Sequence, residues 1–268
     1  NYNYTGTPLF ATIATIANTQ FQGFVLSTDG LYAWGSLNVA VSNSLYASTG
    51  FKSINLPVGI TPSDVKDLIA TNGALALLTN NGNVWISARH NSFHGNGGAT
   101  VNATTNHWAQ VQRSSTGNPV LTNVEDIRLS PTGIFAITST GQWLTWGPRC
   151  YLGDGTAAQE LNYATPMTTP FAGKPVMIAL TSDFTNATFT NANNRTSYFA
   201  INPVDRKIYA LGGNGNGQLG QGNTTISTGW VPVRNSDNSA DLDNINFISG
   251  NDQDGWTTAS AAISAITT

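Results

Sequence analysis

Cysteine is almost missing from this chain: Cys150 is the only one in 268 residues, so no disulfide can form within the chain and no cysteine-based zinc site can be built. Charge is scarce as well. Lys, Arg, Asp and Glu together make up 9% of the sequence, against roughly a quarter in ordinary soluble domains. The eleven Lys and Arg residues are scattered singly and the net charge is −3, which excludes the clustered basic face that phosphate backbones require. No nucleic-acid partner is expected. No apolar run approaches the roughly 18 residues of a membrane span, and Asn1 to Thr7 carries no basic leader region, so no membrane insertion is expected either. The first residue is Asn rather than Met, which fits a mature or excised segment.

Catalytic signatures are also lacking. No G-x-S-x-G, H-E-x-x-H or paired-carboxylate motif occurs, and the expectation is a non-enzyme with no catalytic residue and no cofactor. The glycine-rich stretch from Gly212 to Gly222 is not followed by G-K-[ST], so it is not a phosphate cradle. The three histidines, His90, His94 and His107, have a spacing that suggests zinc in isolation. His94 nevertheless stands where Leu152 and Leu219 stand in sister loops, and His90 aligns approximately with Asn214, so these are read as loop residues and no metal site is expected. Asp252 and Asp254 in GNDQDGW lack the further oxygen ligands of a calcium loop and read as turn residues. Sequons at Asn3, Asn102, Asn186, Asn194 and Asn223 are no more than an Asn-, Ser- and Thr-rich chain yields by chance.

What is abundant is apolar and aromatic residues, 40% and 10% of the chain with seven Trp, enough to build a core. They recur in a degenerate repeat. An apolar run ending in a polar turn appears as GFVLSTDG (from Gly23), GALALLTNNG (from Gly73), GIFAITSTG (from Gly133) and SYFAINPVDRK (from Ser197). An aromatic strand follows: LYAWG at Leu31, NVWIS at Asn83, QWLTWG at Gln142 and KIYALGG at Lys207. Asp-Gly, Asn-Gly and Thr-Gly between such runs are hairpin turns. A glycine loop comes next, FHGNG at Phe93, YLGDG at Tyr151 and QLGQG at Gln218, replaced in the first copy by SLNVAVSNS at Ser36. A strand near proline follows, LPV at Leu56, TPM at Thr165 and VPV at Val231, with WAQV at Trp108 in the second copy. DVKDLIA at Asp64, NVEDIRL at Asn123, PVMIAL at Pro175 and NINFIS at Asn244 read as a fourth strand closing each unit.

Four strands per unit is a propeller blade. The predicted fold is all-β: a β-propeller with four-stranded antiparallel blades at 20–70, 71–130, 131–182 and 183–250, plus single strands of flanking blades at 8–17 and 258–268. A seven-bladed ring at this spacing needs on the order of 400 residues, so the expectation is an incomplete ring whose open faces are covered by further blades from the same or another chain. A closed ring of four or five blades is the alternative. Trp34, Trp85, Trp143 and Trp146 are expected between blades, while Trp108, Trp230 and Trp256 lie nearer loops.

The order of these elements, clearest in YALGGNGNGQLGQGNTT from Tyr209, resembles the regulator of chromosome condensation repeat over roughly residues 20 to 268. The resemblance implies protein recognition by surface loops, with tasks in the family as different as nucleotide exchange on a small GTPase, light sensing and β-lactamase inhibition; no exchange-factor residue is carried over, because no loop motif matches. The neutral polar surface suggests an extracellular, cell-surface or virion-surface module, an adhesin or appendage that binds a protein or glycan. An intracellular exchange-factor-like regulator and a propeller lyase or hydrolase are the alternatives. The candidate binding residues are Arg89, His90, Asn91, Arg149, Tyr151, Asn214 and Asn216, all on loops that follow the aromatic strand and so share one face.

Overall fold

The computed structural model describes residues 12–19, 22–35, 48–99, 107–184, 188–253 and 260–267. They form four antiparallel four-stranded sheets and one two-stranded sheet. The first holds β1 (Ile13–Asn18), β2 (Gln22–Ser27), β3 (Gly30–Gly35) and β4 (Ser48–Ile54); the second holds β5 (Val65–Thr71), β6 (Ala74–Thr79), β7 (Val84–Ala88) and β8 (Ala109–Gln110). The third contains β9 (Val124–Ser130), β10 (Gly133–Thr138), β11 (Trp143–Cys150) and β12 (Gln159–Pro166), and the fourth β13 (Ile178–Asp183), β14 (Arg195–Ile201), β15 (Ile208–Gly212) and β16 (Ser227–Pro232). The two-stranded sheet pairs β17 (Ile245–Gln253) with β18 (Ser260–Thr267). The fold is the all-β propeller that the repeat predicts.

Three of the four hairpins between second and third strand are set by a hydroxyl at the entry, and the fourth by Asn202, whose Oδ1 accepts from the Val204 amide at 2.9 Å. Thr79 Oγ1 accepts from the Asn83 amide at 2.9 Å and Thr138 Oγ1 from the Gln142 amide at 3.0 Å, while Ser27 bonds Asp29 in the first copy. This is the Asx- and ST-turn chemistry that the polar turn residues supply.

The sheets differ in phase from the sequence reading. Strands of the DVKDLIA type do not close a unit; they open the next one, because β5 pairs with β6 from Thr71↔Ala74 onward and β9 with β10 from Ser130↔Gly133. A turn of two residues joins each such pair, and so short a connection leaves antiparallel pairing as its outcome. The observed sheets therefore span 13–54, 65–110, 124–166 and 178–232. The strand at 13–18 belongs to the first full sheet rather than to an earlier blade, and 260–267 pairs with β17 rather than standing alone. Asp252 lies in β17, not in a turn; Asp254, Trp256, the segment 36–44 and the sequons at Asn3, Asn102 and Asn186 are outside the described residues.

The first strands β1, β5, β9, β13 and β17 approach one another in succession, so they are the inner strands from which the sheets radiate. Four apolar clusters lie between consecutive sheets. Phe24, Leu26 and Leu31 meet Leu75, Leu77 and Trp108; Ala76, Leu78 and Ile86 meet Ile134, Leu144 and Trp146; Phe135, Ile137 and Trp143 meet Tyr198 and Leu211; Phe199, Ile208 and Ala210 meet Ile245 and Ile248. Alternation along β6, β10 and β14 sends one set of side chains to the preceding sheet and the other to the following sheet. Full burial of such a side chain contributes about 1.5–3 kcal/mol. Trp85, Trp143 and Trp146 lie between sheets as expected, and so do Trp108 and Trp230. Trp34 does not: it stacks edge-on against Phe51 of its own sheet, 4.6 Å between ring centroids, on the outer face of the first sheet.

The glycine loops are clamps between sheets. Gly95, Gly153 and Gly220 stand at φ of +62°, +76° and +61°. The Gly97 amide bonds the Asn162 carbonyl of β12 and the Gly155 amide bonds the Thr228 carbonyl of β16, so these two loops are stitched to the outer strand of the next sheet. A Cβ on Gly153 would run into the Thr168 hydroxyl and the Trp230 indole, whereas Gly155, at φ +92°, has open space where its Cβ would stand. Gly155→Ala therefore carries only the backbone penalty, about 1–2 kcal/mol, and Gly153→Ala adds the clash. Urea melts of the two variants are expected to show Gly153→Ala at least twice as destabilising; equal losses would mean that the loop does not press on the next sheet.

Candidate functional site

A polar surface cavity of about 360 Å³ lies between the second and third sheets. Arg89, His90 and Asn91 form one wall, Gly97 and Gly98 the rim, and Glu160 and Asn162 of β12 the other wall. The chain leaves β7 through Arg89, whose amide bonds the Gly73 carbonyl, and enters a single 3₁₀ turn over Asn91–His94. His90 caps that turn: its Nδ1 lies 2.7 Å from Ser92 Oγ and accepts from the Ser92 amide at 3.4 Å. Gly95, in the left-handed region, ends it. Beneath the wall, the Arg89 guanidinium sits over the Phe189 ring at 5.7 Å, and Phe189 packs against Phe93.

The cleft carries both signs of charge within reach of each other. His90 Nδ1 lies 4.0 Å from Glu160 Oε1. Burial lowers the His90 pKa and the Glu160 carboxylate opposes that shift. Arg89 is exposed at the mouth, so the cleft presents a guanidinium, a carboxylate, an imidazole and two carboxamides to solvent. Such a set can hold a polar protein segment by hydrogen bonds at both signs of charge. Ser92 Oγ and Glu160 Oε1 both approach His90 at Nδ1, so these three do not line up as nucleophile, base and orienting acid.

Of the seven residues proposed from sequence, the structure brings Arg89, His90 and Asn91 together and leaves four elsewhere. Tyr151 is buried in the core between the third and fourth sheets, and burial raises the pKa of its hydroxyl. Asn214 is wholly buried: its amide donates to the carbonyls of Asn223 at 3.0 Å and Thr225 at 2.9 Å, and its Oδ1 accepts from the Leu219 amide at 2.9 Å. Asn216 is exposed, yet its amide is already committed to Asp183 at 3.0 Å. Arg149 is half-buried, with Nε directed at the Asn194 carbonyl at 3.3 Å. These four hold loops in place. Glu160 and Asn162 were absent from the sequence reading; seventy residues separate them from Arg89, and only the stacking of sheets joins them.

The other histidines are buried, His94 in the turn that follows the cleft wall and His107 against Trp108. Burial pushes the pKa of His94 down to about 4, and does the same to His107. No group of three or more metal-ligating side chains occurs among the described residues.

Neither a family model nor a curated relative matches the sequence. The fold is similar to that of human WBSCR16, with a TM-score of 0.61 and 13% identity over 91% of this chain and 57% of that one. It is also similar to Prp20p from Saccharomyces cerevisiae, described for its binding to Gsp1p and histones, with a TM-score of 0.60 and 14% identity over 97% of this chain and 57% of that one. A further similar structure is yeast RCC1 (Prp20) with Kap60 bound, at a TM-score of 0.58 and 14% identity, covering 91% of this chain and 53% of that one. The chain thus spans little more than half the length of the solved proteins it matches. The propeller is of the type seen in regulator of chromosome condensation structures, in line with the resemblance drawn from the repeat.

These matches correct the functional expectation. The solved proteins that share the fold include a binder of Gsp1p and histones and a chain bound by Kap60, which are intracellular partners. The adhesin, cell-surface and virion readings, and the extracellular placement that went with them, are set aside. Low charge content and a neutral polar surface describe solubility and do not assign a compartment.

The loop histidines provide a test of the site's packing. The unfolded chain binds a proton on His94 below about pH 6.5 and the folded chain only near pH 4, so folding stability is full above pH 6.5 and falls as pH drops through that window. His94→Leu, which installs the residue of the sister loops, is expected to reduce the loss of stability between pH 7 and pH 5 by about 2 kcal/mol. Urea titrations at the two pH values check this; an unchanged pH dependence would place His94 in water.

Proposed function

We propose that this chain is an intracellular protein-binding regulator of the exchange-factor-like kind, and that it engages its partner through the loop face containing Arg89, His90, Asn91 and Glu160. The observation that carries the reading is the fold shared with Prp20p over 97% of the chain, a protein described for binding Gsp1p and histones. The cleft supports it, because it offers paired charges and carboxamides at a rigid junction of two sheets, which suits a polar segment of a folded partner better than a small apolar ligand. A glycan partner has no comparable support. In this reading the chain works by binding and does no bond-making chemistry of its own.

The test uses purified Gsp1p and core histones as probes in biolayer interferometry, together with release of a fluorescent nucleotide from Gsp1p. Saturable binding to either probe is expected. Arg89→Glu is expected to weaken it at least tenfold, which is about 1.4 kcal/mol, with an unchanged circular dichroism spectrum. Absence of saturable binding to both probes would overturn the reading; binding that survives both Arg89→Glu and Glu160→Lys would move the interface away from the cleft.

A further inference from the structure

Charged groups are few in this chain, and most are held by neighbours. Lys174 bonds Glu125, Lys207 and Arg234 share Asp241, and Arg128 bonds Asp126. Hydroxyls, amides and carboxamides serve the remaining aspartates, so that among the acidic side chains described all but one accept at least one hydrogen bond. The exception is Glu160. Its contact with His90 Nδ1 is 4.0 Å, beyond hydrogen-bond reach, and burial lowers the pKa of that imidazole, so at pH 7 no positive charge stands there. Arg89 is its counterpart: the guanidinium lies over the Phe189 ring and, among the described residues, donates no hydrogen bond. The two do not pair with each other, yet both line the same cavity of about 360 Å³.

Opposite charges that share a cavity without meeting suit a ligand that satisfies both at once. The Glu160 wall is made of acceptors. Asn162, two residues further along β12 and so on the same side of the strand, has a buried carboxamide oxygen with no donor among the described residues. The Arg89 wall is made of donors, N–H groups in a planar fork that fits a carboxylate at two points. A matching ligand therefore carries an anion at one end and a cationic donor at the other. The two ends are close together, because His90, the neighbour of Arg89 in the chain, already lies 4.0 Å from Glu160. An α-amino acid has this form: its carboxylate matches the guanidinium, and its ammonium has three N–H donors for the Glu160 oxygens and the Asn162 oxygen. The cavity volume falls at the small end of the range for small-ligand sites, roughly 300–1,000 Å³, and Gly97 and Gly98 put no side chain across the rim. We propose that the cleft binds a free α-amino acid as its zwitterion, with the carboxylate on Arg89 and the ammonium on Glu160 and Asn162. This goes beyond the protein-binding reading of the same cleft and does not rest on it.

The test is an amide-resolved NMR titration of the nitrogen-labelled chain at neutral pH with three probes: L-alanine, N-acetyl-L-alanine, which lacks the ammonium, and L-alanine amide, which lacks the carboxylate. L-alanine is expected to give saturable shifts at the amides of Arg89, Gly97 and Gly98. Each of the other probes forfeits one ion pair and is expected to bind on the order of tenfold more weakly. These arms need no variant. Glu160→Gln and Arg89→Gln, which keep side-chain shape and remove charge, are each expected to abolish the saturable shifts while amide signals away from the cleft stay in place. Absence of saturation with L-alanine overturns the proposal, as does equal binding by either singly charged probe or undiminished binding by either variant. Gsp1p and histones are absent from the experiment, so its failure leaves the protein-binding reading standing, and failure of that reading leaves this one.

Discussion

A sheet of this chain has two apolar faces and cannot hide either alone. That constraint governs the molecule. β6 and β10 are buried along their whole length because their alternate side chains face two neighbours, which is why they read as continuous apolar runs instead of alternating ones. Stability is then largely a sum over junctions. The outer strands, touched on fewer sides, tolerate the Pro that ends both β12 and β16, and they are where loops from neighbouring sheets attach.

Apolar stacking is indifferent to small slides, and polar contacts between sheets remove that freedom. At the junction of the third and fourth sheets Thr145 Oγ1 meets the Tyr198 hydroxyl at 2.8 Å, Thr132 Oγ1 meets Thr196 Oγ1 at 2.7 Å, and Thr196 Oγ1 bonds the Arg149 carbonyl at 2.7 Å. Cys150 lies in the same buried layer, its thiol pushed up to about 11 by burial, so it behaves as a small core residue and not as a nucleophile. The Asp183 carboxylate is buried at the inner end of the fourth sheet and accepts from the Gly215 amide, Asn216 and Gln218, fixing the glycine loop above it. Neutral hydroxyls and one well-bonded carboxylate do what ion pairs do elsewhere, which fits a chain with so few charges.

The strand order was legible in the sequence because turn chemistry is local: Thr79, Asn81 and Gly82 specify a hairpin without reference to anything distant. Phase was harder. TNG at Thr71 to Gly73 and SPTG at Ser130 to Gly133 are also tight-turn sequences, and they join β5 to β6 and β9 to β10; reading them as boundaries between units instead of as hairpins moved every sheet by one strand. The cleft was half legible. Arg89, His90 and Asn91 follow one strand and could be read as a loop, but Glu160 and Asn162 enter only through the packing of one sheet on the next. Tyr151 and Asn214 misled because polar or aromatic loop residues look exposed in one dimension, while in space their loops fold back as clamps and bury them.

Where the repeat is kept, its loop is occupied with holding itself together. In the fourth sheet Asn214 spends all its hydrogen-bonding capacity on Asn223, Thr225 and Leu219, and Asn216 spends its amide on Asp183, so little is left to meet a partner. In the second sheet the corresponding stretch carries Arg89 and His90, and its turn is stabilised by the more economical contact of His90 with Ser92. The guanidinium of Arg89 is then left at the surface, backed by Phe189 and faced by Glu160 across the cleft. The histidine content of this loop follows from the same substitution, with His94 filling the buried leucine position and remaining neutral because it is buried. Where the second copy departs from the repeat, side chains are thus released from structural duty, and that departure coincides with the polar cleft between the second and third sheets.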